Sequence, residues 1–232
     1  MSPTKDLKPL EQTLGVSFTD DAALRQALVH RSYLNENPSF ELAHNERLEF
    51  LGDAVLELVV TDHLYQNYEM PEGELTNLRA AIVRGEMLSK VAEEMGLSEY
   101  LLLSRGERQD TGKARQYILA NAVEAVIGAV YLDQGYEAAA KVITTHIISR
   151  LEQVIAEGAH IDNKSRFQEL AQEKYRVTPV YKVIKEHGLD HAKHFSVGVF
   201  VGDKQMGVGE GSSKQEAQQA AAKAALAEVD KE

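Results

Sequence analysis

Residues 117–132 read Tyr-Ile-Leu-Ala-Asn-Ala-Val-Glu-Ala-Val-Ile-Gly-Ala-Val-Tyr-Leu, and only Asn121 and Glu124 interrupt the apolar run. A segment this apolar predicts a helix buried on nearly every side. Asn121 and Glu124 lie three residues apart and share one face of that helix. A carboxylate in such a place is costly unless something partners it. Two partners are open: an arginine in a core ion pair, or a metal ion shared with carboxylates from elsewhere in the chain.

A second acidic feature lies upstream. His44-Asn45-Glu46-Arg47-Leu48-Glu49-Phe50-Leu51-Gly52-Asp53-Ala54-Val55-Leu56 sets Glu46, Glu49 and Asp53 at spacings of three and four. On a helix those spacings stack the three side chains on one stripe. Leu48, Leu51, Val55, Leu58 and Val59 keep a helical period on another face,. Like charges at about 4 Å and an effective dielectric near 20 repel by roughly 4 kcal/mol. Solvent, a basic partner or a cation has to relieve that repulsion.

The chain has 232 residues and a net charge of −11. The charge is unevenly placed. Residues 1–160 hold 14 Lys and Arg against 25 Asp and Glu, whereas residues 161–232 hold 11 of each. The whole-chain charge argues against a nucleic-acid partner, but a strongly acidic segment can hold divalent cations that mediate contact with phosphate. There is no cysteine, so disulfides and thiolate zinc sites are excluded,. No apolar run approaches the roughly 18 residues of a membrane span, and the first residues lack a signal-peptide core. The expected location is the cytoplasm.

Taken in order, residues 6–29 predict two short helices, the second capped by Thr19-Asp20-Asp21,. His30-Arg31-Ser32-Tyr33 and a polar loop at 35–39 follow. The acidic stripe then starts a long helix that runs to about Tyr68, and Pro71-Glu72-Gly73 breaks it,. One helix is expected from Glu74 to Met95, stopped by Gly96,. Residues 104–115 read as a loop whose Arg105, Arg108, Lys113 and Arg115 are either solvated or turned to phosphate. The apolar helix comes next, and a separate amphipathic helix is expected over Tyr136–Glu157.

The texture changes at residues 157–163, and the expected domains are 1–158 and 159–232. A helix over Ser165–Tyr175 begins with a possible capping box, Ser165 to Gln168,. Alternating strands follow at Val180–Glu186, Lys193–Val201 and Gln205–Glu210,. An Ala-rich helix closes the chain, opened by a second capping box from Ser213 to Glu216. The fold class is therefore an all-α domain followed by a small α+β domain of order α-β-β-β-α.

Asn45–Leu56 resembles the signature of bacterial ribonuclease III nearly letter for letter. His30–Tyr33, Pro71–Gly73 and Leu119–Asp133 fit that family's other blocks in order. Residues 161–232 resemble the double-stranded-RNA-binding domain that follows the nuclease domain in the family. The resemblance spans essentially the whole chain. It implies a dimeric all-α nuclease that cuts duplex RNA in ribosomal and messenger RNA processing, leaving 5′-phosphate and 3′-hydroxyl ends. By motif position it implies Glu49, Asp53 and Glu124 as metal ligands, with Asn121 beside them, and Glu46 and Glu72 as auxiliary acids. The implied cofactor is Mg2+, with Mn2+ as a substitute. A hard ion with oxygen ligands suits a cysteine-free acidic site.

By the same resemblance Ser165, Gln168 and Glu169 would face one minor groove of the RNA and His191 the next. Ser213 and Lys214 would face the phosphates between them. The bland readings are two helix caps and a turn histidine. The sequence departs from the family at two places. Asn121 stands where the family ordinarily has Asp, and Lys214-Gln215 stands where it has a lysine pair. The first departure opens an alternative: a duplex-RNA-binding protein with impaired or no cleavage.

Overall fold

In the computed structural model, which describes residues 5–158, 160–188 and 193–229, the chain divides into two compact units, one up to His160 and one from Ile161. The first unit is helical. It opens with α1 (Lys8–Leu14), which stops at Gly15 in the left-handed conformation, and α2 (Ala22–Ala27),. The segment that follows is more helical than its sequence suggests. His30 accepts from the Ser32 N–H and caps a short helix, α3 (Arg31–Glu36), where a polar loop was expected to begin.

The acidic stripe forms α4 (Glu46–Asn67). Its start is anchored by the buried Asn45. The Asn45 N–H donates to the Val29 carbonyl at 2.9 Å, and its Nδ2 donates to the Ala27 carbonyl at 3.2 Å. The single helix expected over 74–95 is two helices, α5 (Glu72–Val83) and α6 (Gly85–Glu94). Arg84 between them is extended (φ −59°, ψ 147°) and turns the chain. Gly96 ends the second as expected, with φ 67°.

Residues 104–115 are not one loop. Ser104 accepts from the Glu107 N–H and caps α7 (Arg105–Gln109), and α8 (Lys113–His146) starts at Lys113. The apolar run lies inside α8, and the helix expected separately over 136–157 begins as its continuation. Gly135 (φ 79°, ψ −167°) breaks the line of α8 without ending it, and only glycine takes that backbone without strain. A short 3-10 turn at Ile148–Arg150 then leads into α9 (Leu151–Glu157).

The core of this unit is organised on α8. Leu119, Ala122, Val123, Ala125, Val126, Ile127 and Val130 are essentially sealed from solvent. Leu48, Val55, Leu56, Val59 and Val60 of α4 are buried in the same cluster. Helices α2 and α6 also pack on α8. No helix of the described residues is long and apolar enough to cross a membrane.

The second unit has the expected order: α10 (Asn163–Tyr175), β1 (Val180–His187), β2 (His194–Val201), β3 (Lys204–Gly211) and α11 (Lys214–Val229). The three strands form one antiparallel sheet in chain order. Helix α11 packs on β2 and β3, and α10 packs on α11. The seam between β3 and α11 is unusually close. A Cβ at Gly209 would lie 2.1 Å from the Ala221 nitrogen, and one at Gly207 would lie 2.5 Å from the Ala221 carbonyl oxygen. Phe167, Ala171, Val199, Met206, Ala221, Ala222 and Ala225 make the small core beside it.

The caps of this unit differ in part from expectation. Ser165 does not cap α10. Asp162 does, accepting from the Ser165 N–H at 3.1 Å and from its hydroxyl at 2.6 Å. A carboxylate three residues ahead outcompetes the hydroxyl for the free N–H groups. Ser213 does accept from the Glu216 N–H at 3.1 Å, but Glu216 returns to the N–H and hydroxyl of Ser212 instead of closing a box on Ser213.

Candidate functional site

Two glycines bring the acidic elements together. A Cβ on Gly52 of α4 would lie 1.7 Å from the Glu124 carbonyl oxygen of α8. A Cβ on Gly128 of α8 would lie 2.3 Å from the Leu48 carbonyl oxygen of α4. The two helices therefore cross backbone to backbone, and Glu49 and Asp53 come to the same crossing as Asn121 and Glu124. Sequence reading missed this device. The available signal was two glycines inside buried helices, where each costs about 1 kcal/mol relative to alanine and needs a reason.

The crossing is electrostatically unrelieved. Burial pushes the Glu124 carboxyl up to about 7, and the charges of Asp53 and Glu49 push the same way. No cation of the described residues acts against them, so the core Glu–Arg pair open at the outset is not what holds Glu124. Glu49 is also raised, first by burial and then by the charge of Glu46. The Asn121 amide beside it partly offsets this, while the charge of Asp53 adds to it. No group of three or more His, Asp or Glu side chains among the described residues is arranged to hold a metal ion as it stands.

Glu46 differs from its neighbours because it has a counter-charge. Arg31 at the start of α3 donates to it at 2.5 Å, and the His44 Nδ1 is 3.8 Å from the same oxygen. Both members of the ion pair are substantially exposed. Glu72 stands apart in its contacts. It is exposed in the first turn of α5 and accepts from the Thr76 hydroxyl at 2.9 Å. It contributes to neither of the raised carboxyls on the crossing.

In the second unit a groove of about 580 Å³ lies between the first turns of α10 and α11. It brings together Ser165, Gln168 and Lys214. Glu169 is exposed on α10 but does not line this groove. Ser213 is exposed and engaged as the α11 cap. Lys214 is exposed, with its Nζ 3.5 Å from Glu186 and 5.5 Å from the centre of the Phe195 ring. His191 lies outside the described residues.

Comparison with known proteins agrees with both halves. The Ribonuclease-III-like family model matches residues 20–151, and the double-stranded RNA binding motif matches residues 163–229. Ribonuclease 3 of Oceanobacillus iheyensis is 46% identical over 222 residues, which cover 95% of this chain and 97% of that protein. Ribonuclease 3 of Dehalococcoides mccartyi is 44% identical over 222 residues, or 95% of this chain and 94% of that one. Among solved structures, the nuclease domain of ribonuclease III from Campylobacter jejuni superposes with a TM-score of 0.56 at 39% identity, over 62% of this chain and 97% of that domain. That domain is described as structurally flexible in a region involved in dimer formation. An all-α unit crossed on two acidic helices and a following α-β-β-β-α unit thus both have their counterparts, and the chain belongs to the ribonuclease III family of endoribonucleases.

Proposed function

We propose that the chain hydrolyses the phosphodiester bonds of duplex RNA with Mg2+ at the α4–α8 crossing, Mn2+ serving as a substitute. The observation that carries this reading is Glu124, a half-buried carboxyl with two further carboxylates acting on it and no cation to relieve it. The carboxylates acting on it and the excess negative charge fit a hard divalent ion,. Glu49, Asp53 and Glu124 would hold the ion, with the Asn121 amide oxygen as a neutral fourth donor. When bound, the ion supplies an activated water and charge relief at the leaving oxygen.

The chain's own residues set the rest. The glycine crossing fixes the approach of α4 to α8 and therefore the reach of each carboxylate. Arg31 gives Glu46 a counter-charge. Glu72 is assigned an auxiliary role by motif position alone. Water adds to phosphorus, the bond to the 3′ oxygen breaks, and that oxygen leaves with a proton, giving 5′-phosphate and 3′-hydroxyl ends. The second unit would hold the duplex by shape and phosphate contact through Ser165, Gln168, Glu169, Ser213 and Lys214, because A-form RNA hides its base edges in a deep, narrow groove.

A homodimer is part of the same proposal. Phe50, Leu58 and Tyr65 are 81%, 57% and 80% exposed along one side of α4. An exposed apolar stripe of this kind marks a binding surface, and the Campylobacter jejuni domain is described as having a region involved in dimer formation.

The test is incubation of a long RNA duplex with and without Mg2+, followed by analysis of the product ends. Mg2+-dependent cleavage that Glu124→Gln abolishes is the expected outcome. Asn121 favours a second reading, binding without cleavage, because it removes one negative charge from the site. Retention of duplex without cleavage at saturating Mg2+ would select it.

A further inference from the structure

We propose that Gln219 is a positioning residue for duplex-RNA recognition, locking the start of α10 to α11. This rests on the reading of the second unit as an RNA-binding domain. The side chain of Gln219 uses both ends of its amide on α10. Its Nε2 donates to Asp162 Oδ1 at 2.8 Å, and its Oε1 accepts from the Lys164 backbone N–H at 3.3 Å. The same Asp162 caps α10 through Ser165. One glutamine thus engages the cap residue and a first-turn N–H together.

The contacts around it tighten the joint. Lys164 Nζ donates to Gln218 Oε1 at 2.9 Å and lies 5.2 Å from the centre of the Tyr181 ring. Its ammonium is held against the protein. Lys214, across the groove, is exposed and reaches the exposed Glu186 carboxylate and the Phe195 ring. All four clamp residues, Asp162, Lys164, Gln218 and Gln219, are half-buried and line the groove that also presents Ser165, Gln168 and Lys214.

The functional argument follows from how duplex RNA is read. A domain of this class engages successive minor grooves and the phosphates between them by shape. Its contact groups among the described residues stand on two helices, so their separation has to match the RNA when it arrives. If α10 and α11 can slide, ordering them becomes a cost of binding. The clamp removes that freedom. Loss of Gln219 leaves Asp162 able to cap α10, so the fold and the RNA contact surface are separable.

The experiment uses the full chain and a duplex RNA in EDTA, with affinity measured by fluorescence anisotropy across a salt series and folding by thermal melting. Gln219→Ala is expected to weaken binding about fivefold with little change in melting. The slope of log affinity against log salt should hold, since no phosphate contact is removed. Gln219→Glu sets a carboxylate against Asp162 and is expected to bind more weakly still. Adding Asp162→Asn to Gln219→Glu keeps an effective cap and the net charge, and reverses donor and acceptor across the joint. This double variant is expected to regain most of the affinity. Wild-type binding by Gln219→Glu would overturn the proposal. So would a double variant that is folded yet as weak as Gln219→Glu, or an affinity loss in Gln219→Ala that comes only with unfolding of the second unit at the assay temperature. Failure of the unchanged chain to bind duplex RNA would instead overturn the reading of the second unit, and this proposal with it.

Discussion

Gly52 lies against the backbone of Glu124 so closely that a single added carbon would stand 1.7 Å from its carbonyl oxygen. The obstacle is backbone within a buried helix, so it cannot swing away as a flexible side chain would. Gly52→Ala is therefore expected to destabilise the nuclease unit by about 3 kcal/mol or more, at or beyond the upper end for overpacking. Urea denaturation measures this. An unchanged midpoint would mean that α4 and α8 can separate at little cost.

Glu124 gives a pH dependence with a definite sign. In the folded chain it keeps its proton up to about pH 7, against an ordinary value of 4.5. The folded state therefore binds more protons than the unfolded state between those two values. Stability from this group falls as pH rises through that window, and the penalty is complete above about 7. In EDTA, Glu124→Gln is expected to remove that slope and to gain on the order of 2–3 kcal/mol at pH 8. Thermal melting at pH 5 and pH 8 checks it, and the same variant should not cleave RNA.

Asn121 is expected to stabilise the chain without metal and to weaken its hold on metal. Its amide favours the ionised form of Glu49, whose carboxyl is already raised by burial and by Glu46. Asn121→Asp replaces that neutral amide with a further negative charge. The melting temperature in EDTA should fall, the rise on adding Ca2+ or Mg2+ should grow, and cleavage should saturate at lower Mg2+. Superimposable melting and cleavage curves for the two proteins would reject this.

Much of the architecture was legible from periodicity, and the exceptions have particular causes. The long helix at Glu46 shows itself because its apolar residues repeat with the helical period, and the one at Tyr117 because its apolar run is nearly unbroken,. The turn at Arg84 does not, because the apolar pattern runs across it and extended backbone at an arginine leaves no residue-type signal. The break at Gly135 is where the change from the apolar run to the amphipathic pattern at Tyr136 had placed a boundary, and the backbone there is non-helical even though α8 resumes after it. The acidic candidates could be named from one stretch, but that Glu49 and Asp53 meet Glu124 depends on Gly52 and Gly128, 76 positions apart in the sequence. Asp162 was missed as a cap because Ser165 offered a familiar pattern three residues later. Glu72 remains tied to the site by motif position and not by any contact it makes.

Lys214 offers a test of RNA contact that is independent of the clamp. Its 3.5 Å approach to Glu186 is exposed on both sides, and such pairs contribute little to folding. Lys214→Ala should leave melting nearly unchanged, weaken duplex binding, and reduce the salt slope by about one. An unaltered slope would place Lys214 away from the phosphates.

The seam between β3 and α11 bears on how this chain can change over time. At Gly207, Gly209 and Gly211 the strand meets Ala217, Ala221 and Ala225 with no room for another carbon. The strand positions already carry the smallest residue there is, so mutation at them can only add atoms. Most cores drift by exchanging a larger residue for a smaller one and back again, with neighbours compensating. Here that exchange has no first step on the strand side. Change in the RNA-binding unit is thereby directed away from the join, to exposed positions such as those on α10, where recognition can be retuned without disturbing it.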